Sequence, residues 1–287
     1  MRPGGSLKHN SVGPKKLIGF KPKILVDDRH HSRSLLDLAC SARPNRMMTT
    51  PAFTSVEEAF LYCRNMDASL AERLDAFSLA TRYLIPGYQE AVDRMVNRLK
   101  AYDAGQAAPK PGEPMPPFAM PNEQGHMVTL DDLLSEGSLA MTFHRGHWCP
   151  YCRINTKVFA EAQERIASDG AHLAAIMPER QGFAAKFKTE GQVRYPVLTD
   201  IDNGYALSLN LAIWVGDEMQ KILQHGDRQL PEYQGNNAWM LPIPATFVVA
   251  QDGIITARFI DPDYRKRMAI EDLLSALRSA QSQGESG

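Results

Sequence analysis

Two cysteines separated by two residues, Cys149 and Cys152, are the side chains of this sequence best suited to chemistry. They follow the apolar run 138–143 and precede a stretch, 153–168, with helical periodicity. A pair at such a strand-to-helix junction has one thiol at the positive end of a helix, which lowers the pKa of that thiol. The second thiol is close enough to resolve a mixed disulfide. The spacing therefore indicates thiol redox chemistry.

The residues around the pair could tune its thiols. Arg145 is the best candidate to lower a thiol pKa, because a guanidinium is always charged. His147 could do the same or relay a proton, although His144 and His147 could equally be solvated loop residues. Trp148 is expected to pack against the site and shield it, and Tyr151 is expected to be only a spacer between the thiols.

The overall composition excludes several classes of function. A formal net charge of −1 over 287 residues produces no field that would attract nucleic acid. No apolar run approaches the roughly 18 residues that span a membrane. Four cysteines are too few for a disulfide scaffold in a chain of this length, and they suit a reducing compartment. We therefore expect a cytoplasmic protein without nucleic-acid or membrane partners.

The cysteine count also weighs against a metal centre. A structural zinc site usually has four ligands, often as two separated pairs, whereas Cys40 and Cys63 lie far apart. Cys63 falls in a helical run and is expected to be a small buried residue. No nucleotide-binding signature supports a flavin or a nicotinamide. We expect neither a metal nor a cofactor, so reducing electrons must come from an external thiol.

Composition and periodicity divide the chain into four segments: 1–50, 51–103, 104–117 and 118–281. The first is basic and poorly periodic, which indicates a disordered tail or sequence translated upstream of a true start at Met47 or Met48. The second is helical, with a predicted capping box at Ser55 and Glu58, and forms an extension packed on the main domain or on a second subunit. The third is rich in proline and glycine, as linkers are.

The last segment alternates strands and helices. Strands are predicted at 139–144, 173–177, 195–199, 246–250 and 254–260. Helices are predicted at about 153–168, 181–190 and 203–211, and a final helix carries Ile270, Leu273, Leu274 and Leu277 on one face. The turn signal Asp252-Gly253 makes the last two strands a hairpin. This order predicts an α/β fold with a central mixed sheet flanked by helices.

Several short stretches in this segment carry a family resemblance: 112–118, 143–152, 195–200, 241–247 and 261–264. In this order they resemble the peroxiredoxin-like proteins of the alkyl hydroperoxide reductase/thiol-specific antioxidant (AhpC/TSA) family, within the thioredoxin-fold superfamily. The resemblance implies a thioredoxin-like core with a strand-helix unit inserted at about 180–212. It also implies a cis bond between Ile243 and Pro244, in a loop that faces the thiols, with Thr246 beside it.

The chain departs from the usual family pattern, Pro-x-x-x-Thr/Ser-x-x-Cys. Alignment by spacing places Cys152 at the peroxide-reacting position, Cys149 at the Thr/Ser position and Arg145 at the proline. The analogy with thioredoxin implies the opposite roles, with Cys149 attacking and Cys152 resolving. Both assignments stay open at the level of sequence. Glu179 and Arg180 follow a strand end, where sites in α/β sheets tend to lie, but no pattern assigns them a role.

The resemblance implies a thiol-dependent antioxidant oxidoreductase that reduces hydroperoxides while its Cys-Pro-Tyr-Cys pair cycles between dithiol and disulfide. The reductant would be a thioredoxin- or glutaredoxin-type protein or a small thiol. A thioredoxin-like protein disulfide reductase is the main alternative, and a non-catalytic redox sensor is a further one. Because many proteins of this group pair through surfaces near the active site, the resemblance also allows a homodimer.

Overall fold

The computed structural model describes residues 53–284. The prediction for residues 1–50 and the position of Cys40 lie outside the described residues. Within them the helices are α1 (Val56–Arg64), α2 (Leu70–Leu84), α3 (Pro86–Ala101), α4 (Leu130–Leu134), α5 (Pro150–Ser168), α6 (Gln181–Gly191), α7 (Gly204–Ser208), α8 (Asp217–His225), α9 (Leu230–Gln234) and α10 (Ile270–Gly284). The strands are β1 (Ala119–Pro121), β2 (Met127–Thr129), β3 (Leu139–Phe143), β4 (His172–Met177), β5 (Val197–Thr199), β6 (Ala212–Trp214), β7 (Met240–Pro242), β8 (Ala245–Val249) and β9 (Ile255–Ile260).

A five-stranded mixed sheet in the order β5-β4-β3-β8-β9 forms the centre of the fold. β3, β4 and β5 are parallel, whereas β8 is antiparallel to both β3 and β9. All five side chains of β3 are buried, as expected for a central strand covered on both faces. The sheet and its flanking helices confirm the predicted thioredoxin-like α/β fold.

The two faces of the sheet pack against different helices. Ala140 and Val248 point into a core that also contains buried side chains of α1, α2, α3, α5 and α10. Leu139 and Phe247 point into a second core beneath α4 and α7. Successive side chains of a strand alternate between faces, so one strand supplies both cores. The cysteine-bearing helix α5 therefore lies on the same face as the N-terminal helices.

Helices α1 and α2 pack directly on α5, and α3 packs on α2. Ser69 and Glu72 form the capping box at the start of α2. The capping box predicted at Ser55 and Glu58 is only half formed: Ser55 accepts from the Glu58 N–H, but the Glu58 carboxylate binds the N–H and hydroxyl of Thr54. Thr54 offers the Glu58 carboxylate two donors, its N–H and its hydroxyl. In a complete capping box the carboxylate would accept from the N–H of Ser55 alone.

Several connecting segments differ from the sequence prediction. Residues 104–117 are not a free linker. The backbone N–H groups of Gly112 and Met115 donate to the carbonyls of Ile255 and Gly253 at the edge of the sheet. Helices α8 and α9 and the pairing of β6 with β7 were not predicted. The strands and α9 are three to five residues long, too short to show a clear period. The nine residues of α8 are strongly amphipathic, with Met219 and Leu223 on the buried face, and this period was overlooked.

The predicted cis bond was wrong. No peptide bond within residues 53–284 is cis, so Ile243 and Pro244 are joined in the trans form. The trans form is favoured intrinsically by about 0.5–1 kcal/mol at X–Pro bonds. Here the N–H of Ile243 binds the carbonyl of Leu211 at 2.8 Å, and the extended chain passes from β7 to β8 without a tight turn.

No helix in the described part of the chain is both long and apolar enough to cross a membrane.

Candidate active site

The cysteine pair lies where β3 leads into α5. Proline favours the first position of a helix, and here Pro150 occupies it, so Cys149 becomes the N-cap and Cys152 falls in the first turn. The two sulfur atoms are not joined in a disulfide in this structure. Both are also buried: Cys149 is 1% exposed and Cys152 is fully covered. The pair is therefore shielded from bulk water and from any large partner.

Two arginines place positive charge beside the thiols. The backbone N–H of Arg145 donates to Cys152 Sγ at 3.3 Å, and Arg267 Nη2 donates to the same sulfur at 3.6 Å. The buried guanidinium of Arg145 lies 3.7 Å from the ring centroid of Tyr264 and 5.2 Å from that of Trp148. Arg145 Nη2 and Arg267 Nε are buried without a hydrogen-bond partner among residues 53–284. These free donors favour an anion at the site.

The environment separates the acidities of the two thiols. Burial disfavours the Cys149 thiolate, but hydrogen bonds from the thiol and the N–H of Cys152, with the charges of Arg145 and Arg267, outweigh it and lower the pKa of Cys149 to about 5. Burial and the negative charge of Cys149 raise the pKa of Cys152 well above its ordinary value. The pair thus carries one negative charge, and we place it on Cys149.

The two histidines are not solvated. His147 is 9% exposed; its Nδ1 pairs with Glu179 Oε1 at 2.9 Å, and its backbone N–H donates to Glu179 Oε2 at 2.7 Å. Its ring stacks on Phe183 at a centroid distance of 4.8 Å.

His144 is fully buried and binds Thr142, and burial with the charge of Arg267 lowers its pKa to about 3. His144 is therefore neutral, and His147 fixes the loop through Glu179.

The turn between β3 and the pair requires a glycine. Gly146 has φ +141°, and a Cβ atom there would lie 2.6 Å from Glu179 Oε1 and 2.7 Å from Trp148 Nε1. We expect Gly146→Ala to lower the free energy of unfolding by about 1–3 kcal/mol, because both strain and a clash with a buried carboxylate arise. Chemical denaturation measures this loss.

Gly182→Ala is the matched control for that substitution. Gly182 lies in α6, and a Cβ atom there would meet nothing within 4 Å. Alanine at such a helical position should leave stability unchanged or raise it by up to about 1 kcal/mol. A Gly146→Ala protein as stable as the Gly182→Ala protein would contradict the requirement for glycine in the loop.

The remaining predicted site residues lie at different distances from the thiols. Trp148 is partly buried and packs beside Arg145. Thr246 pairs with Thr142 across β8 and β3, on the sheet face that α5 covers. Pro244 is buried just before β8. The structure gives neither Pro244 nor Thr246 a hydrogen bond to a cysteine within the described residues.

Tyr151 is more than a spacer between the thiols. Its ring packs edge-on against Phe77 of α2 at 5.1 Å and against Tyr264 at 5.4 Å. Tyr264 also meets Tyr88 of α3, with 3.3 Å between the hydroxyl oxygens. The N-terminal helices are thereby joined to the cysteine motif through a chain of aromatic rings.

Cys149 lines a small cavity. Its walls come from the cysteine loop, the N-terminal helices and the segment after β9, and include Arg145, Trp148, Cys149, Phe77, Tyr88 and Tyr264. It offers about 20 Å³ of room for the centre of a water-sized molecule. Cys152 is absent from this lining, so within the described residues the cavity gives access to Cys149 first.

Comparison with known proteins identifies the family. The family model described as AhpC/TSA matches residues 111–258, slightly more than half of the chain. The chain belongs to the AhpC/TSA family. Membership makes it an enzyme of the thiol-peroxidase class, with a thiol-dependent antioxidant function. No curated protein matches the chain.

Solved structures of peroxiredoxins are similar in chain path. Peroxidoxin BcpB from Mycobacterium tuberculosis is 20% identical, with a TM-score of 0.46, over 59% of this chain and 97% of that one. The yeast mitochondrial 1-Cys peroxiredoxin is 15% identical, with a TM-score of 0.48, over 62% and 78%. AhpC from Enterococcus faecalis is 16% identical, with a TM-score of 0.47, over 61% and 94%. The family assignment rests on the family model.

Sequence reasoning missed three contributors to the site. Arg267 follows the stretch 261–264 that carried part of the resemblance, and its basic neighbours were the available signal. Glu179 was noted only for its place after a strand end. Phe77 gave no signal, because an aromatic residue on an amphipathic helix is typical of any core.

In the described residues, no group of three or more His, Cys, Asp or Glu side chains could hold a metal.

Proposed function

We propose that the protein is a cytoplasmic thiol peroxidase in which Cys149 attacks the hydroperoxide and Cys152 resolves the product. The observation that carries the proposal is the Cys149 thiol, which has a lowered pKa, two guanidinium groups nearby and a place on the wall of a small cavity. A thiolate is the reactive form in such chemistry. Positive groups beside it also favour the oxygen anion that departs.

The proposed cycle has three steps. The Cys149 thiolate attacks one peroxide oxygen, so an S–O bond forms, the O–O bond breaks, and the departing alkoxide or hydroxide takes a proton from water. The Cys152 thiol then attacks the sulfenic sulfur, forming the S–S bond and releasing water. Two molecules of a small external thiol return two electrons and two protons and are themselves oxidised to a disulfide.

Burial of the pair favours a peroxide over a protein disulfide as the oxidising substrate. Cys149 is 1% exposed beneath α2 and α3, so a disulfide on another protein could reach it only if these helices moved. The assay is consumption of hydrogen peroxide with excess dithiothreitol, run beside reduction of insulin. Catalytic peroxide consumption with slow insulin reduction supports the proposal. The reverse result would favour the disulfide reductase, and substoichiometric turnover in both assays would favour a redox sensor.

The pH dependence of the first step is a direct test of the thiolate. The reactive thiolate predominates at pH values above the pKa of Cys149. The rate of Cys149 oxidation in a single turnover should therefore rise with pH and be half-maximal near pH 5. It should be flat above about pH 6.5, where an ordinary thiol with a pKa of about 8.5 would still be mostly protonated. Stopped-flow measurements from about pH 4 to about pH 8 provide this profile. A rate that keeps rising through pH 8 would contradict the assigned pKa.

A further inference from the structure

Much of the wall of the cavity at Cys149 is built by the N-terminal helices. Five lining residues come from α2, α3 and the residue between them: Phe77, Thr81, Ile85, Tyr88 and Gln89. We call these five residues the roof. The roof lies outside the segment 111–258 that matches the family model. Its effect on the reaction is therefore a property of this chain's own extension.

The space under the roof is small. About 20 Å³ is available to the centre of a water-sized molecule, and one bound water needs roughly 10–15 Å³ by the same measure. Hydrogen peroxide, with two oxygen atoms, is close to this limit. A hydroperoxide with an aromatic or branched carbon group needs space that side chains of the roof occupy.

The roof is held in place by buried contacts. Gln89 Nε2 donates to Thr81 Oγ1 at 2.7 Å, and Phe77 packs between the rings of Phe60 and Tyr151. Arg73 of α2, whose side chain is 7% exposed, binds Glu161 of α5 at 2.8 Å. Displacing α2 or α3 would break these contacts together, so the helices that carry the roof are held in place.

Charged contacts also tie α3 to the loop that carries Tyr264. Arg265 Nη1 binds Asp93 at 2.7 Å and Gln89 Oε1 at 3.3 Å. Arg265 therefore connects the roof to the segment that places Tyr264 and Arg267 at the thiols. The roof and the positive groups form one assembly around Cys149.

We infer that the roof sets an upper size limit on the substrate, so that the enzyme acts on hydrogen peroxide and rejects bulky organic hydroperoxides. This rests on the proposed function and adds its substrate class. The Cys149 thiolate takes one oxygen of hydrogen peroxide as a sulfenic acid, and the other oxygen leaves as hydroxide and is protonated to water. The roof side chains touch the space where a carbon substituent on that second oxygen would lie.

The test compares kcat/KM for hydrogen peroxide and for cumene hydroperoxide. The wild type should prefer hydrogen peroxide by about 100-fold or more, because a steric clash discriminates more strongly than a missing contact. Ile85→Ala, which removes three carbons from the roof, should raise kcat/KM for cumene hydroperoxide at least about tenfold. The readout is the ratio of the two kcat/KM values, so a change common to both peroxides does not count as a change in preference.

Two further variants control for folding and position. Ile85→Val removes one carbon and should shift the preference in the same direction by a smaller factor. Leu79 of α2 is 56% exposed, and Leu79→Ala should change neither kcat/KM value. Comparable kcat/KM values for both peroxides in the wild type, or an unchanged preference in both Ile85 variants, would overturn the size limit and leave the peroxidase intact. Turnover of neither peroxide would overturn the proposed function together with the size limit.

Discussion

Replacing Cys149 by serine is expected to lower steady-state peroxide turnover by at least about 10³-fold, because the nucleophile is removed. Cys152→Ser should also stop turnover, but only after one cycle. In that variant the serine hydroxyl can still donate to the Cys149 thiolate, so a sulfenic acid forms on Cys149 and then persists. A sulfenic-acid trap followed by mass spectrometry identifies the labelled residue.

Cys63→Ser is the matched control for the two active-site substitutions. Cys63 is 1% exposed in α1, and burial raises the pKa of its thiol to about 11. Turnover should be unchanged in this variant at temperatures where it is folded. Rapid sulfenic acid on Cys152 in the Cys149→Ser protein would reverse the assigned roles and agree with the usual family spacing. Retained turnover in both active-site variants would rule out the paired-thiol mechanism.

Arg145→Met should slow the first chemical step, because it removes a buried positive charge beside the Cys149 thiolate. Loss of a neighbouring opposite charge raises the pKa of an acidic group by about one to three pH units. If the pKa of Cys149 rises by about two units from its value of about 5, the thiolate fraction at pH 6 falls about tenfold. The pH profile of Cys149 oxidation measures the shift directly, and Arg145→Lys should restore part of it.

Arg153→Met controls for the loss of a nearby positive charge. Arg153 directly follows Cys152 in sequence, but its guanidinium lies over the ring of Phe60 at 4.5 Å and pairs with Glu190 at 3.2 Å. Its removal should leave the midpoint of the pH profile in place. A midpoint that moves equally in Arg145→Met and Arg153→Met would mean that net charge, rather than the position of Arg145, sets the acidity of Cys149.

Local patterns in the sequence were sufficient to predict the core of the fold and the position of the cysteine pair. The buried run of β3 and the CxxC that follows it specify a strand, a turn and a helix start, and these are local properties. The predicted strand at 173–177 and final helix at Ile270 appear as β4 and α10 for the same reason. Strong periodicity over consecutive residues requires no knowledge of distant contacts.

The composition of the site could not be predicted in the same way, because its parts come from distant segments. Arg267 reaches Cys152 across 115 residues, and Glu179 reaches His147 across 32. Phe77 meets Tyr151 only because α2 packs on α5. The basic neighbours of Arg267 were a weak signal, whereas nothing around Phe77 in the sequence distinguishes it from an ordinary core residue. Their roles follow from tertiary packing, which places them within a few ångströms of the loop.

The two guanidinium groups beside the thiols also bear on how the enzyme is regenerated. Oxidation to a disulfide removes the negative charge on Cys149, so Arg145 and Arg267 lose the anion that offsets their burial. The attraction between these guanidinium groups and the Cys149 thiolate therefore stabilises only the reduced form of the pair. This makes the reduction potential of the pair less negative. A less negative potential means that weak electron donors suffice. The oxidised enzyme should accept electrons readily from an ordinary cellular thiol pool, without a strongly reducing partner.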